Sequence, residues 1–346
     1  MEQQYTPPTP ATIMQIGSGF WASKVLLAAI NFELFTKLAS KQTMTASQIK
    51  EELNLKCTDR NVFDFLDTLT GFGFLNRKGI LETSTYSNGI DTAIFLDKNK
   101  PSYVGGILEM MNERLYNFWG HLEEGLLTGK PQNEIKGGED LFESIYKDSH
   151  RLKMFVHAMT GAQMGGFIAF AEKFDFSKYK TLIDVGGSAG MLSLMIAQHQ
   201  THMTCVTFDL PVIEPIANET IQKLQLVNRV KTASGDFFAE PIPSADIVTL
   251  GNILHDWDEE TKLILIQKAY DALPQGGAFV VIESIIDDER KENVFGMMMS
   301  LNMLIETGNG YNFSFADFNK WTKKIGFKST ALLPLSGPTS AAIAYK

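Results

Sequence analysis

The chain has 346 residues, which is enough for two domains with a sizeable buried core. Hydrophobic residues make up 44% and charged residues 21%, as in an ordinary globular protein, and the net charge of −9 argues against nucleic acid or an anionic membrane as a partner. No apolar run of membrane-spanning length is expected. Cys57 and Cys205 form no metal or disulfide pattern, so we predict no metal and a cytoplasmic location.

The first hundred residues read as mainly helical. Residues 11–40 are predicted to form one helix whose wide apolar stripe we expect to be buried, against a second subunit. A second helix follows the expected N-cap Thr45, a third covers about 59–72, and a hairpin covers about 73–81. Helices followed by a hairpin are typical of a winged helix.

A winged helix raises the alternative of a DNA-binding regulator. The candidate recognition helix argues against it, because Asp59, Asp64 and Asp67 would lie where DNA presents its phosphates. A winged helix that serves dimerisation is therefore the preferred interpretation.

The middle of the chain is also predicted to be helical, with a long apolar helix at about 150–174. We place a domain boundary near 176–178. The predicted organisation is a helical, winged-helix dimerisation domain at 1–100, a helical linker region contributing to a substrate pocket at 101–176, and a ligand-binding catalytic domain at 177–346.

From residue 181 onward, strand and helix patterns alternate. The predicted strands are 181–185, 203–208, 229–233, 245–250, 278–284 and 339–345, with helices such as 211–226 and 259–273 between them. Such alternation predicts a Rossmann-like α/β fold, with an open, mostly parallel sheet covered by helices on both faces. In such sheets a ligand binds at the carboxyl ends of the strands.

A glycine-rich turn follows the first of these strands. Gly186, Gly187 and Gly190 let the chain turn tightly and approach a ligand closely. A dinucleotide fingerprint would also need glycines at positions 188 and 191, but these are Ser188 and Met191. The turn is therefore not suited to a pyrophosphate.

Polar side chains end or follow five neighbouring strands. They are Asp184, Asp209, Asp236, His255 and Glu283. Asp209 lies 19 residues past Gly190, where a carboxylate can bind two ribose hydroxyls. Asp236 can accept an exocyclic amine while Phe237 packs on a base. Together with their neighbours Leu210, Gly235 and Asn252, these residues predict an adenosine site without a phosphate cradle.

Several motifs occur here in the order and spacing of one known family. They are Asp-Val-Gly-Gly-x-x-Gly, Phe-Asp-Leu-Pro, Gly-Asp-Phe-Phe, His-Asp-Trp-x-x-Glu, Leu-Pro-x-Gly-Gly and Glu283. The sequence resembles the S-adenosylmethionine-dependent small-molecule O-methyltransferases, a group that includes caffeic acid, acetylserotonin and bacterial natural-product enzymes. The resemblance covers nearly the whole chain. It implies a homodimer that binds S-adenosylmethionine in its C-terminal domain and methylates a small-molecule hydroxyl.

The resemblance also suggests roles for individual residues. A phenol with a pKa of about 10 is only about one part in a thousand ionised at neutral pH, so a general base is needed. His255 is the expected base, and Glu283 is expected to hold its other ring nitrogen. Asp256 is expected either to contact the substrate or to cap the following helix.

Two departures from the family pattern bear on these roles. Asn312 stands where relatives carry a second glutamate; an amide can hydrogen-bond to imidazole but cannot stabilise imidazolium by charge. Glu306 lies one helical turn past Asn302 and is a candidate substitute. Gly251 stands where many relatives place a basic residue near the cofactor.

The apolar character of the expected pocket favours an aromatic or polyketide-like acceptor. The predicted pocket residues are Phe155, Met159, Met298, Met299, Asn302 and Glu306. Because the family also contains enzymes with other reactions, N- or C-methylation and non-methylating hydroxylation or pericyclic chemistry remain alternatives.

Overall fold

The computed structural model describes residues 8–137 and 149–346, and the chain divides into two compact units, Met1–Glu113 and Arg114–Lys346. Of the predicted linker region, residues 114–137 and 149–176 belong to the second unit together with the sheet. Each unit has its own hydrophobic core.

The first unit begins with three helices where one was predicted. They are α1 (Ala11–Gly17), α2 (Gly19–Asn31) and α3 (Leu34–Lys41). The first break falls at Ser18 between two glycines, residues with low helix propensity. The second falls at Glu33, whose φ of 56° is left-handed. The prediction of a single continuous helix was wrong for these local reasons.

The rest of the first unit consists of helices and a small antiparallel sheet. It contains β1 (Met44–Thr45), α4 (Ala46–Glu52), α5 (Asp59–Gly71), β2 (Leu75–Lys78), β3 (Thr85–Asn88), α6 (Ile90–Phe95) and α7 (Gly105–Met110). Thr45 is the N-cap of α4, as predicted, and Thr58 caps α5 in the same way. The three strands are antiparallel in the order β1-β3-β2. The predicted hairpin at 73–81 contained only β2, because the return strand begins at Thr85.

The carboxylates of α5 are paired within the unit. Asp59 lies 2.7 Å from Lys50, and Asp67 lies 2.7 Å from Arg77. Asp64 pairs along the helix with Arg60 at 3.1 Å. These contacts occupy basic side chains that a DNA-binding helix would direct at phosphates, which argues further against the DNA-binding alternative.

Several apolar residues of α1 and α2 are exposed in the single chain. Of the predicted stripe, Ile30, Leu34 and Leu38 are buried within the unit, whereas Ile16 and Phe20 are 76% and 56% exposed in one chain; their burial against a second subunit stays a prediction. By length and composition alone, Ala11–Asn31 is apolar enough to cross a membrane, so the expectation that no run reaches that length was wrong. Only 17% of its most apolar window is buried. A run of exposed apolar side chains on neighbouring helices is typical of an interaction site.

The second unit is built on a seven-stranded sheet. Its strands are β4 (Thr181–Val185), β5 (Thr204–Asp209), β6 (Val230–Ser234), β7 (Ile247–Gly251), β8 (Ala278–Glu283), β9 (Ser329–Pro334) and β10 (Ser340–Tyr345). Its helices are α8 (Leu122–Thr128), α9 (Ser149–Lys173), α10 (Met191–His199), α11 (Glu214–Lys223), α12 (Glu259–Ala272), α13 (Val294–Glu306) and α14 (Phe315–Ile325). Residues 111–121, which cross the unit boundary, form short helical turns.

The strand order is β6-β5-β4-β7-β8-β10-β9, and all neighbours are parallel except the pairs that include β10. The mostly parallel α/β fold and all six predicted strands are confirmed, with bounds shifted by at most two residues. β9 was not predicted. It is an edge strand that is mostly exposed and ends in Pro334, so it lacks the continuous apolar run of a central strand.

Alternate residues of the central strands pack on opposite faces of the sheet. In β8, Ala278, Val280 and Ile282 contact the core that includes α9 and α10, whereas Phe279 and Val281 contact the core that includes α12 and α14. Because helices cover both faces, a ligand can reach the sheet only at the ends of the strands. The carboxyl ends of β4, β5, β7 and β8 lie side by side there.

We predict that Trp321→Ala lowers the free energy of unfolding by about 3–5 kcal/mol, because Trp321 is 2% exposed and packs against Phe313 on the α14 face. Chemical denaturation of the full chain measures this loss. Lys323→Ala, at an exposed position of the same helix, is the control and should change stability by less than about 0.5 kcal/mol. Equal losses in the two variants would contradict the assigned core.

Candidate active site

The turn after β4 lies close against its neighbours. Gly187 has no room for a side chain, because a Cβ there would lie 2.2 Å from the Thr207 Oγ1 and 2.8 Å from a carboxylate oxygen of Asp184. Gly186 has a φ of 68°, and a Cβ there would lie 2.5 Å from Ile253. Gly190, with a φ of 78°, is the left-handed residue that starts α10. Only glycine therefore fits at these positions of the turn without displacing its neighbours.

Asp209 is held by main-chain donors at the end of β5. One carboxylate oxygen accepts the Ser188 N–H at 2.8 Å, and the other accepts the Leu210 N–H at 2.7 Å. Burial raises the pKa of Asp209, while these two N–H groups act in the opposite direction. Each oxygen keeps a further lone pair, so the carboxylate can still accept from two hydroxyls.

Asp184 is the more deeply buried of the two carboxylates at this end of the site. It is 3% exposed, and the Thr249 hydroxyl donates to it at 2.8 Å. Burial raises its pKa to about 7; the hydrogen bond from Thr249 opposes the shift and the charge of Asp209 adds to it. The ionised form of Asp184 is therefore unfavourable in the folded protein.

The loop after β6 adds aromatic surface. The Gly235 N–H donates to the Asp209 carbonyl at 3.0 Å, and a Cβ on Gly235 would lie 2.8 Å from the Phe208 ring. Asp236 accepts the Phe238 N–H at 2.8 Å. The Phe237 ring lies 4.7 Å from the Phe238 ring, between centroids. The loop thus presents a carboxylate beside aromatic rings.

A cavity of about 690 Å³ connects these groups. Among the predicted site residues it is lined by Phe155, Met159, Asp184, Gly186, Gly187, Asp209, Leu210, Asp236, Phe237, Asn252 and Asp256. Gly190 and Gly235 shape the surrounding turns without lining it. Asn252 has a left-handed φ of 52°, and its N–H donates to the Ile282 carbonyl at 3.0 Å, which fixes the chain where β7 ends.

Helix α9 contributes lining residues that the sequence analysis missed. Gln163 and Phe167 continue the spacing of Phe155 and Met159, so four residues at intervals of four lie along one helix face. That period was present in the sequence and would have identified them. A Cβ on Gly251 would meet Gln163 and Phe167 at 3.5 Å, so α9 borders the position where relatives carry a basic residue.

His255 lies between two carboxylates. It belongs to the turn after β7, which forms one end of the cavity. Its Nδ1 is 3.5 Å from the Glu283 Oε2, and its Nε2 is 3.4 Å from the Asp256 Oδ1. Its backbone N–H donates to the Glu283 Oε1 at 3.3 Å. The structure therefore brings the predicted catalytic residues His255, Glu283 and Asp256 together. Of the three, Asp256 lines the cavity, and His255 lies behind it.

The three side chains are almost fully shielded from solvent, and for His255 and Asp256 the pKa is shifted. Burial lowers the pKa of His255, but the charges of Glu283 and Asp256 outweigh it and raise the pKa to about 9. Burial raises the pKa of Asp256 to about 7, although His255 opposes the shift. The His255–Asp256 pair consequently takes up and releases protons between neutral and alkaline pH.

Asn312 is close to this group but makes a different contact from the one expected of a glutamate. It is 2% exposed, and its side-chain amide donates to the Ser284 carbonyl at 3.0 Å. The chain runs parallel to residues 284–286 here, since the Ile286 N–H donates to the Phe313 carbonyl at 3.0 Å. Within the described residues, the Asn312 Oδ1 is buried without a hydrogen-bond partner.

Glu306 is held by a buried arginine. Its carboxylate accepts from Arg114 at 3.1 Å and from Asn133 at 3.3 Å, and Arg114 also forms a two-pronged ion pair with Glu134 at 2.6 and 2.8 Å. Burial raises the pKa of Glu306, and the charge of Arg114 opposes the shift. Among the described residues, no hydrogen bond or ion pair joins Glu306 to the His255 imidazole.

The remaining predicted pocket residues lie on α13, outside the cavity lining. Asn302 accepts the Trp119 indole N–H at 2.9 Å, and Met298 is 47% exposed. Met299 is neighbour to Met298 on the same helix. The structure thus places Phe155 and Met159 in the cavity but does not place Met298, Met299, Asn302 or Glu306 there. In the described part of the chain, no cluster of His, Cys, Asp and Glu is arranged to hold a metal ion.

Comparisons with known proteins agree with this architecture. A family profile described as an O-methyltransferase domain matches residues 119–328, and one described as an O-methyltransferase dimerisation domain matches residues 14–96. The tetracenomycin polyketide synthesis 8-O-methyl transferase TcmO of Streptomyces glaucescens is 33% identical over 97% of both chains. The N,N-dimethyltransferase OxyT of Streptomyces rimosus is 28% identical over 93% of both chains.

The fold is also that of a solved structure. The crystal structure of human N-acetylserotonin methyltransferase in complex with SAM aligns with a TM-score of 0.90 and 24% identity, covering 100% of this chain and 99% of that chain. At this level of identity the comparison shows a shared fold.

We predict that Asp184→Asn stabilises the protein in a pH-dependent way. Because the pKa of Asp184 is raised to about 7, wild type loses stability as pH rises from about 4 to about 7, where the carboxyl group ionises in the unfolded chain but stays protonated in the folded protein. The amide does not ionise, so the variant should gain up to about 2–4 kcal/mol over wild type at pH 8 and little at pH 4. Urea unfolding across this pH range measures the difference. Asp271→Asn, at an exposed position, is the control, and a gain independent of pH would contradict the assignment.

Proposed function

The chain belongs to the family of S-adenosylmethionine-dependent O-methyltransferases, and from that membership we propose that its cavity holds the cofactor and acceptor and that His255 takes the proton of the acceptor hydroxyl. One observation carries this proposal. A single cavity reaches from the glycine turn and Asp209, at the ends of β4 and β5, to Asp256 and the imidazole behind it.

The residues present fit the cofactor. Gly186 and Gly187 leave main chain uncovered, and in the described structure the hydroxyls of Ser188 and Thr207 are buried beside this turn without a hydrogen-bond partner. We assign Asp209 to the two ribose hydroxyls, because its carboxylate is already oriented by two N–H groups. Asp236 and Phe237 are assigned to the adenine, with Leu210 and Asn252 beside them. When bound, the cofactor supplies an electrophilic methyl group on a sulfonium.

The charge and the apolar surface of the cavity lining suit both the cofactor and an aromatic acceptor. Four acidic side chains line the cavity, from Asp184, Asp209, Asp236 and Asp256, and the lining described by the structure contains no lysine or arginine. Burial raises the pKa of Asp184 and of Asp256 to about 7, so these two carry only part of a negative charge at neutral pH, but no basic side chain of the lining opposes it. A negative cavity attracts a sulfonium cation and disfavours an anionic acceptor. Phe155, Met159, Phe167 and Trp257 supply apolar surface on which an aromatic ring can pack. We therefore assign an uncharged aromatic phenol, of the polyketide type that the name of TcmO indicates, as the acceptor class.

His255 and its neighbours supply the proton chemistry. Asp256 lines the cavity, so its carboxylate can accept a hydrogen bond from the hydroxyl group of the methyl acceptor. This hydrogen bond orients the hydroxyl oxygen. The proton passes by way of the Asp256 carboxylate, whose Oδ1 lies 3.4 Å from the His255 Nε2, to the imidazole, and Glu283 stabilises the imidazolium from the other side. An amine acceptor with a free lone pair needs no such base before attack, so this arrangement favours O-methylation over the N-methylation named for OxyT.

In this proposal Glu306 and Asn312 do not contact the substrate and act through neighbouring residues. The charge of Glu306 contributes to the raised pKa of Asp256, and Arg114 and Asn133 fix its position. Asn312 holds the Ser284 carbonyl next to Glu283. Together they support the carboxylates on either side of His255.

The exposed stripe of α1 and α2 supports a homodimer. All but its first three residues lie within the residues that match the dimerisation-domain profile, and its apolar side chains Ile16, Phe20 and Trp21 are more than half exposed in one chain. We propose that a second copy of the chain covers this stripe. Burial between subunits also accounts for the apolar length of Ala11–Asn31 without a membrane. Both cysteines are free, which fits the proposed cytoplasmic location.

We predict that His255→Asn lowers kcat/KM by about 10²–10⁴, because the base is lost while the cofactor contacts remain. Transfer of a labelled methyl group from S-adenosylmethionine to uncharged polycyclic phenols measures it, with carboxylated phenols as the disfavoured comparison. Wild-type kcat/KM should rise about tenfold per pH unit up to about pH 9, as the imidazole loses its proton, and the variant should lack this rise.

His199→Asn is the control, since His199 is half-buried on α10 and bonds the Met195 carbonyl. Calorimetry with S-adenosylhomocysteine should give equal affinities for all three proteins. Unchanged turnover in His255→Asn would overturn the base assignment. Failure of wild type to bind S-adenosylhomocysteine would overturn the cofactor site.

We predict that the double substitution Ile16→Glu and Trp21→Glu converts a dimer into a monomer, because two charges would be buried at the proposed subunit contact. Sedimentation equilibrium of the full chain measures the mass. Lys78→Glu, at an exposed position on β2, is the charge-changing control and should remain a dimer. A monomeric wild type, or a dimeric double variant, would count against the proposed interface.

A further inference from the structure

The loop after β6 carries the two residues assigned to the adenine, although it lies at the margin of the sheet. β6 is the outermost strand on that side, so the loop has a neighbouring strand end on one side only. Residues 238–240 are exposed, and Asp236 and Phe237 are only partly buried. A loop with so few buried contacts is mobile unless other groups hold it. A specific site for the base therefore needs an anchor for this loop.

The loop closes on itself as a single turn. The Glu240 N–H donates to the Asp236 carbonyl at 2.7 Å, and the Phe238 N–H donates to the Asp236 carboxylate at 2.8 Å. One turn is too short for its own N–H groups to reach its last carbonyls, so those carbonyls need donors from another element. The carbonyls concerned belong to Phe237, Phe238 and Glu240.

A single lysine bonds all three carbonyls. The Nζ of Lys268, on α12, lies 2.7 Å from the carbonyl oxygens of Phe237 and Phe238. The same Nζ lies 2.9 Å from the carbonyl oxygen of Glu240. An ammonium group has three N–H donors, so each of them can serve one carbonyl. Hydrogen bonds from a charged donor are stronger than neutral ones, and three of them fix the turn relative to α12.

The element that carries this lysine is itself firmly held. Leu265 and Ile266 of α12 are fully buried in the core on one face of the sheet. At its beginning, the loop is joined to β5, because the Gly235 N–H donates to the Asp209 carbonyl at 3.0 Å. The loop is thus fixed to the sheet at one end and to α12 by Lys268 at the other.

We propose that Lys268 is a positioning residue for the cofactor, whose ammonium group holds the turn at 236–240 so that Asp236 and Phe237 stay at the cavity wall and select an adenine base. This inference rests on the proposed function, since that function assigns both residues to the adenine. One Asp236 oxygen accepts the Phe238 N–H, which leaves the other for the exocyclic amine. Without the ammonium, the turn has to be ordered again each time a ligand binds, which lowers affinity.

The first test replaces Lys268 with methionine, which has similar length and no N–H donor. The Kd of S-adenosylhomocysteine, measured by calorimetry on the full chain, should rise about tenfold, as expected for the loss of about one net hydrogen bond. The KM for S-adenosylmethionine should rise by the same factor. Because the groups around His255 are unchanged, kcat at saturating cofactor should change by less than about twofold.

Lys346→Met is the matched control. The Lys346 Nζ makes the same kind of contact with the end of α12, where it donates to the Tyr270 and Leu273 carbonyls at 2.7 Å each, and neither of these residues lines the cavity. This variant should bind S-adenosylhomocysteine within about twofold of wild type. Equal losses of affinity in the two variants, or an unchanged affinity in Lys268→Met, would overturn the proposal.

Selectivity for the base distinguishes positioning from a general loss of structure. S-inosylhomocysteine carries a carbonyl oxygen in place of the exocyclic amine, so it cannot donate to Asp236, and wild type should bind it about tenfold more weakly than S-adenosylhomocysteine. In Lys268→Met this ratio of affinities should fall by at least about threefold, because the carboxylate is no longer held at the amine. A general loosening weakens both ligands by the same factor, so an unchanged ratio would overturn the proposal.

A further measurement needs no ligand. Hydrogen exchange of the amides at 236–240, followed by mass spectrometry of a peptide that covers them, reports how often the turn opens. Faster exchange in Lys268→Met than in wild type and Lys346→Met supports the proposal, and equal exchange in all three contradicts it. If wild type does not bind S-adenosylhomocysteine, the proposed function fails, while the exchange still decides whether Lys268 orders the turn.

Discussion

The carboxyl edge of the seven-stranded sheet holds ionisable side chains where solvent does not reach them. Asp184, His255, Asp256 and Glu283 are each no more than 9% exposed, and Lys262 is not exposed at all. Charges in such surroundings interact more strongly than at a surface, because little water screens them. Every proton equilibrium at this edge therefore depends on which neighbours are charged. The rest of the unit holds these groups in place.

The two ends of the cavity stabilise their charges in different ways. At the end formed by β4 and β5, Asp209 is held by main-chain N–H groups and Asp184 by the Thr249 hydroxyl, so fixed dipoles orient the side chains. At the other end, the Glu283 and Asp256 carboxylates and the His255 imidazole compensate one another. Fixed dipoles suit a binding site, where the charge stays constant. Mutually dependent charges suit a site where a proton moves.

Two polar residues of helix α13 that were predicted to line the pocket have a structural role. Glu306 lies on the helix turn next to Asn302, but a buried arginine from the start of the second unit binds its carboxylate, and Asn302 accepts an indole N–H. Both side chains fasten the helix to the segment at 114–134 instead of lining the cavity. A buried carboxylate without a cation would be strongly destabilising, which is why Arg114 decides the role of Glu306.

The sequence by itself determined the α/β class, six of the seven strands of the large sheet and the N-cap of α4, because apolar runs, turn residues and caps are local signals. It also determined that Asp184, Asp209, Asp236, His255 and Glu283 follow neighbouring strand ends, since strand order in a parallel sheet brings those ends together. The exposed edge strand β9 and the breaks at Ser18 and Glu33 carried signals too weak to predict. Only the tertiary structure decided that Asp256 lies between the cavity and His255, that Arg114 binds Glu306, and that Lys262 is fully buried. These contacts join residues far apart in sequence or on different faces of a turn, and no local pattern records the direction in which a side chain packs.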